Sequence, residues 1–314
     1  MRYQASRRTR IENTRFAAHF PSLRTARDLN LGVHMFIQDV HLGIIPIGAG
    51  RGGRSNYSVN ISGGSNEQKR VVTLLECLAR RDRHSLEDLF SDALEAIVLR
   101  LAWHGRAAYE IVHDKGDASA YLLHDFTPQR LFGVFGYLLQ IIPKQDRDLW
   151  GKTFTLAPSR DIWLISLPKL LGGSRGYRAT LKKLGKFDTL GPRFWRNDLE
   201  RSSVGTHFEF VKYVRESEIY TFRSTRRWGW NRRDFSTKNW TEFSQVFRSL
   251  TFKWAKAVVR QHVISEIKKL LVRLEIDADL HVSGLICPHE ILRIRREMAK
   301  GNIAFAEALE AASA

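Results

Sequence analysis

The chain has 314 residues, and its 50 Lys and Arg outnumber its 33 Asp and Glu, which gives a formal net charge of +17. Hydrophobic residues make up 43% of the chain, enough for a sizeable core, so global disorder is excluded. Two isolated cysteines exclude a secreted disulfide framework and favour a reducing compartment, and no apolar run reaches the length of a transmembrane helix. The charge favours a polyanionic partner, most commonly nucleic acid, with an anionic membrane surface as a second possibility.

The first 40 residues mix arginines with scattered apolar residues and predict a basic arm, because no apolar signal segment follows them. The short apolar run 42–47 predicts a strand. Gly48, Gly50 and Gly53 have the spacing of a dinucleotide-binding fingerprint, but the alternating residues 55–62 predict a strand where that fingerprint needs a helix. We therefore predict a loop on a sheet and no cofactor.

Two helices and a group of strands follow. Residues 68–80 predict a helix, and apolar residues at three- and four-residue steps predict a second one over 85–103. Ser85 is a suitable N-cap for the second helix, and Gly105 is a suitable stop. Short apolar or alternating runs predict strands at 107–113, 118–124, 131–135, 137–142 and 162–166. This order indicates the α+β class, with a small antiparallel sheet packed beside the second helix.

The second half is predicted to be mainly helical. Helix candidates occupy residues 177–184, 189–214, 241–274 and 288–300. The third of these would be roughly 50 Å long at about 1.5 Å per residue, which is typical of an elongated or oligomeric protein.

Candidate metal and catalytic groups are few. Glu87, Asp88, Asp92 and Glu95 form an acidic group on one predicted helix, where they suit either Mg²⁺ in a nuclease or the helix dipole. The set around Cys287 lacks the second pair of ligands that a zinc site needs. The catalytic and phosphate-binding motifs considered are absent, so we predict no catalytic residue, metal or cofactor.

Residues 222–233 hold five arginines and two tryptophans in a stretch that is predicted to be irregular. Arginine binds phosphate with a forked pair of donors, and tryptophan stacks on bases. The segment therefore predicts a nucleic-acid contact, and a subunit interface rich in Trp and Arg remains an equal alternative. Its candidate contact residues are Arg223, Arg226, Arg227, Trp228, Trp230, Arg232 and Arg233.

The order of motifs between residues 85 and 185 resembles the wing region of portal proteins, the head-tail connectors of tailed bacteriophages. A helix runs into residues 101–112 (LAWHGRAAYEIV), and FTPQR at 126–130, DIWLI at 161–165 and GGSRGY at 172–177 follow before more helices. The long helices after residue 186 extend the resemblance, because portals place two stem helices around a small clip.

The resemblance implies a portal-like, ring-forming α+β fold with wing, stem and clip parts. The expected parts are a basic arm at 1–40, a wing-like domain at 41–185, a first stem-like helix at 186–214, a clip-like segment at 215–240, and a long stem-like helix with a helical C-terminal region at 241–314. Polar residues of the long helix would face the channel, where Lys253, Lys256 and Arg260 are candidate phosphate contacts, with a solvated helix face as the alternative.

The function implied by the resemblance is that of a portal: a homo-oligomeric ring, expected to be a dodecamer, at one vertex of the capsid. Double-stranded DNA would pass through it during packaging and ejection. The terminase large subunit, capsid and connector proteins would dock on it. The protein would be part of the virion, assembled in the host cytoplasm, with no membrane partner. The alternatives are a basic nucleic-acid-binding protein and a metal-dependent nucleic-acid-processing enzyme.

Overall fold

The computed structural model describes residues 15–16, 31–45, 57–79, 85–113, 121–142, 144, 147, 151–185, 195–197, 206–208, 210–232 and 241–312. Over these residues the chain is α+β, as the sequence predicts. The helices there are α1 (Leu31–His41), α2 (Ser65–Leu78), α3 (Leu86–His104), α4 (Gly173–Gly185), α5 (Phe210–Ser224), α6 (Glu242–Arg273), α7 (Pro288–Ala299) and α8 (Phe305–Ala311). No helix of this described part is both long and apolar enough to cross a membrane.

The strands form small antiparallel sheets. They are β1 (Ser58–Gly63), β2 (Arg106–His113), β3 (Tyr121–Phe126), β4 (Leu131–Val134), β5 (Tyr137–Ile141), β6 (Phe154–Pro158), β7 (Ile162–Ser166), β8 (Trp195–Asn197), β9 (Thr206–Phe208) and β10 (Ala278–Ser283). One three-stranded sheet has the order β3-β2-β7 and another the order β4-β5-β6, while β1 pairs with β10 and β8 with β9.

Helix α3 lies at the centre of the main core, and its ends match the sequence signals. The Ser85 hydroxyl accepts a hydrogen bond from the backbone N–H of Asp88 at 3.1 Å, and Gly105 ends the helix in the left-handed conformation at φ 71°. The α3 residues Phe90, Leu94 and Ile97 are fully buried among apolar side chains of α1, α2, β2 and α6. Because β2 follows Gly105 directly, the sheet starts against the same core.

Helix α6 confirms the long helix predicted over 241–274. Thr241 caps its first turn by accepting from the Ser244 N–H, and buried residues recur along it from Val246 to Leu271. Helices α7 and α8 cover part of it with a second apolar cluster. At its far end the Arg273 guanidinium donates to backbone carbonyls at Ser159 and Ile162, so this end of α6 is fastened to the sheet region.

Several predicted elements are wrong. Residues 42–45 are turns after α1 instead of the start of a strand, and 46–47 lie outside the described residues, as do Gly48, Gly50 and Gly53. Helix α1 lies within the predicted basic arm, yet its Val33, Phe36, Ile37 and Val40 belong to the core, so residues 31–40 are not an arm.

The predicted first stem-like helix at 186–214 is also wrong. Strands β8 and β9 pair with Trp195 opposite Phe208, and helix α5 begins only at Phe210. The clip-like segment 215–240 is helical up to Ser224, where an irregular segment was expected. Strands β6 and β10 were not predicted, and the partner of β10 is more than 200 residues earlier in the chain.

Candidate nucleic-acid interface

The predicted contact segment begins at the end of α5 and continues through a turn at 225–229. Trp228 and Trp230 in this segment are 1% and 2% exposed. The Phe36 ring lies 5.7 Å from the Trp228 ring and 5.1 Å from the Trp230 ring, and Tyr177 packs on Trp228. The Trp230 indole donates its hydrogen bond to Asp39 at 2.8 Å. The prediction that these tryptophans contact nucleic acid is therefore wrong, because both belong to the core.

Helix α6 holds the turn from the other side. Gly229 adopts φ 72° and lies against the α6 backbone so closely that a Cβ there would stand 2.5 Å from the Arg248 carbonyl oxygen. The Arg248 guanidinium donates to Asn231, to the Thr225 hydroxyl and to the Trp230 carbonyl, and stacks over the Phe222 ring. Burial lowers the pKa of Arg248 to about 10. The turn is thus fixed by packing and hydrogen bonds.

Three arginines of the segment point away from this core. Arg223, Arg226 and Arg227 are exposed. Arg232 is half-buried in the left-handed conformation at φ 57°, and Arg233 lies outside the described residues. Three of the predicted contact arginines therefore lie at the surface, whereas both predicted contact tryptophans are buried.

Arg227 extends over the first turn of α4. A Cβ on Gly172 would stand only 2.7 Å from its guanidinium, and a Cβ on Gly176 would stand 3.7 Å from it. The two glycines give the arginine room to lie on the helix. Tyr220 adds a second link between α5 and α4 by donating to the Lys183 carbonyl at 2.8 Å. These contacts bring Arg227 and the end of α5 next to a helix that the sequence did not implicate.

Helix α4 adds cations of its own. Arg175, Arg178 and Lys182 follow at steps of three and four residues, which places them on one exposed helix face, and Lys183 lies beside them. Residues 162–187 contain no Asp or Glu, and neither do residues 219–233. We call the combined surface the basic face; its members are Arg175, Arg178, Lys182, Lys183, Arg223, Arg226 and Arg227. Within the described part of the chain, no carboxylate pairs with any of the seven.

The three predicted phosphate contacts on α6 point into the protein. Lys253 donates to the Leu309 carbonyl at 2.8 Å, and Lys256 donates to the Leu42 carbonyl. Arg260 is 5% exposed and donates to the Ile286 carbonyl. Burial lowers the pKa of all three groups. The prediction that they face phosphates is wrong, because each one satisfies a backbone carbonyl.

The candidate metal ligands were the acidic group on α3 and the set around Cys287. In the residues that the structure describes, no group of three or more His, Cys, Asp or Glu is placed to hold a metal ion. Asp88 lies in the first turn of α3, where its backbone is capped by Ser85, and Asp92 is buried. The Glu290 carboxylate accepts from the Cys287 N–H at 2.6 Å at the start of α7, so this cysteine stands at a helix cap.

No model of a known protein family matches the sequence, and no curated protein matches it either. The portal interpretation stays a prediction that rests on the motifs between residues 85 and 185.

We expect Trp228→Ala to lower the free energy of unfolding by about 3–5 kcal/mol, because it empties a filled site in the core. The neighbouring exposed change Arg226→Ala is the control and should stay within about 0.5 kcal/mol. Urea unfolding followed by circular dichroism measures both. Equal, small effects would contradict the placement of Trp228 in the core.

The lowered pKa of Lys256 predicts that the free energy of unfolding depends on pH. Burial lowers its pKa from 10.5 to about 8, so between these values the unfolded chain binds more protons than the folded one. The free energy of unfolding therefore gains a contribution as the pH rises from about 8 towards 10.5. We expect wild type to gain on the order of 2 kcal/mol relative to Lys256→Met between pH 7.5 and 10 in urea unfolding. Parallel pH profiles would contradict this.

Proposed function

We propose that this chain is a structural nucleic-acid-binding protein that holds the phosphate backbone of DNA on the basic face. The observation that carries the proposal is the set of seven exposed cations without a carboxylate partner in the described residues. Clustered like charges repel one another, and a polyanion relieves that repulsion. Phosphate is the anion that matches several guanidinium groups on one surface.

The composition of the face also favours one mode of binding. Contacts from Lys and Arg to phosphates release counterions and carry no base preference. Stacking on unpaired bases requires exposed aromatic rings, and Trp228 and Trp230 are buried. We therefore expect double-stranded DNA to bind with little sequence preference and strong salt dependence.

The test is a variant in which Arg175, Arg223 and Arg226 are changed to Gln. Arg227 is kept because it packs on Gly172. Each lost phosphate contact should reduce the slope of log affinity against log salt by about 0.9, so the slope should fall by up to roughly 3. Fluorescence anisotropy with a labelled duplex at several salt concentrations measures it.

The matched control removes three exposed cations elsewhere, by Lys152→Gln, Arg293→Gln and Arg296→Gln. It has the same net charge as the basic-face variant, so any general effect of charge is equal in both. An unchanged slope in the basic-face variant, or an equal loss in the control, would contradict the proposed site.

We further propose that the chain assembles into a portal-like ring and that the basic face binds DNA within that assembly. What supports it is the order of elements: α3 leads into β2, the small sheets follow, and α4 begins within the GGSRGY segment. The 32-residue helix α6 also supports it. In that setting the protein would conduct DNA at the capsid vertex, dock the terminase and the tail connector, and belong to the virion. The stem and clip limits drawn from the sequence are not carried over.

For this setting we expect negative-stain images of the purified protein to show closed rings with a central channel. Mass photometry should then give one dominant assembly whose mass is a fixed multiple of the monomer. A monomer at all concentrations and salt conditions would contradict the ring, and it would leave the DNA-binding test above untouched.

A further inference from the structure

A separate apolar surface lies on the β4-β5-β6 sheet. The strand register places Phe132, Leu139 and Leu156 side by side across the three strands, and it aligns the next residues on the same face. We call this the outer face; its members are Phe132, Val134, Tyr137, Leu139, Ile141, Phe154, Leu156 and Pro158. On the opposite face Gln140, Thr155 and Ala157 are buried towards the core.

Most side chains of the outer face are exposed to solvent. Phe132 is 50% exposed, Phe154 is 60% exposed and Leu156 is 49% exposed. Beside them, Phe135 in the β4-β5 turn is 99% exposed and adopts φ 44°. A positive φ costs a non-glycine residue about 1 kcal/mol or more, and this ring makes no packing contact that offsets the cost. Monomeric proteins seldom expose an apolar patch of this size without a binding role.

We propose that the outer face is a contact surface with a second copy of this chain. Its area fits that use. An aromatic side chain covers about 150–250 Å². The exposed fractions of the three aromatic members and of the adjacent Phe135, with Val134, Ile141 and Leu156, therefore amount to roughly 700 Å². A standard protein interface buries about 800 Å² on each partner.

The chemistry of the face points to its own copy as partner. The Tyr137 hydroxyl is the one polar side-chain group among its members, so a partner must be apolar over the same extent. Elsewhere in the described residues, large exposed hydrophobic side chains are isolated on different elements: Leu42, Leu170, Val211, Phe243 and Val272. The outer face itself is therefore the matching surface on a second copy. Two such faces would pack across a two-fold axis about 10 Å apart, as the sheets of a β-sandwich do.

The ends of the strands add an electrostatic signature. Arg130, Lys152 and Arg160 are exposed beside the outer face. In a two-fold contact cations at the ends of one sheet approach cations of the other copy, so salt should strengthen the association by screening their repulsion. Binding to an anionic surface would show the opposite salt dependence.

The experiment compares wild type with the double variant Phe132→Thr, Phe154→Thr by sedimentation velocity. Thr keeps the β-propensity of these positions. Wild type should sediment as a dimer or an even multiple, with association stronger at 0.5 M than at about 0.1 M salt. The double variant should associate about 100-fold more weakly, as expected when two aromatic contacts are lost from each copy. Val211→Thr, Val272→Thr removes two exposed apolar groups elsewhere and should behave as wild type.

Three outcomes would overturn the proposal. They are a monomeric wild type that does not bind vesicles, a monomeric wild type that sediments with phosphatidylserine vesicles, which would assign the face to lipid, and an equal effect of both double variants. Unfolding by urea checks that the double variant is folded. The outer face shares no residue with the basic face. When both proteins are monomeric, the double variant should therefore bind duplex DNA with the same salt slope as wild type. Failure of this proposal is thereby distinguished from failure of the DNA-binding proposal.

Discussion

The packing of Trp228 and Trp230 on Phe36 holds together parts of the chain that are far apart in sequence. It joins helix α1 to the turn after α5, while Gly229 between the tryptophans lies on the backbone of α6. With both rings inside, the arginines that precede them in the same turn face solvent. One short segment thus supplies both core packing and surface charge.

The net charge of +17 does not indicate where a polyanion would bind, because several of the cations form hydrogen bonds within the protein. Lys256, Arg260 and Arg273 each donate to backbone carbonyls at the ends of other elements, and so join α6 to its neighbours. A guanidinium with up to five donors suits carbonyls that have no partner within their own helix or strand. Other cations remain exposed, and those of α4 and the end of α5 lie in stretches without acidic residues.

Local signals predicted local structure well. Ser85 and Gly105 mark the two ends of α3, and Gly136 marks the β4-β5 turn, because caps and turns depend on residues a few positions apart. Long-range packing was not predictable in this way: the pairing of β1 with β10 and the burial of Trp228 depend on residues about 200 positions away. The cations of α4 had a visible signal in the lack of any acid between residues 162 and 187, but only the fold places them beside Arg227.

The two surfaces have opposite chemistry, and this constrains how they work together. Phosphates gain nothing from Phe132 and Phe154, and a second positively charged copy gains nothing from the basic face, so the two proposals require a different partner for each surface. A pair of chains joined through their outer faces would carry two basic faces on one body. A long duplex that binds one of them reaches the other as an intramolecular step, at a high effective concentration. Each basic face alone can then be weak and salt-sensitive, while the assembly still holds DNA.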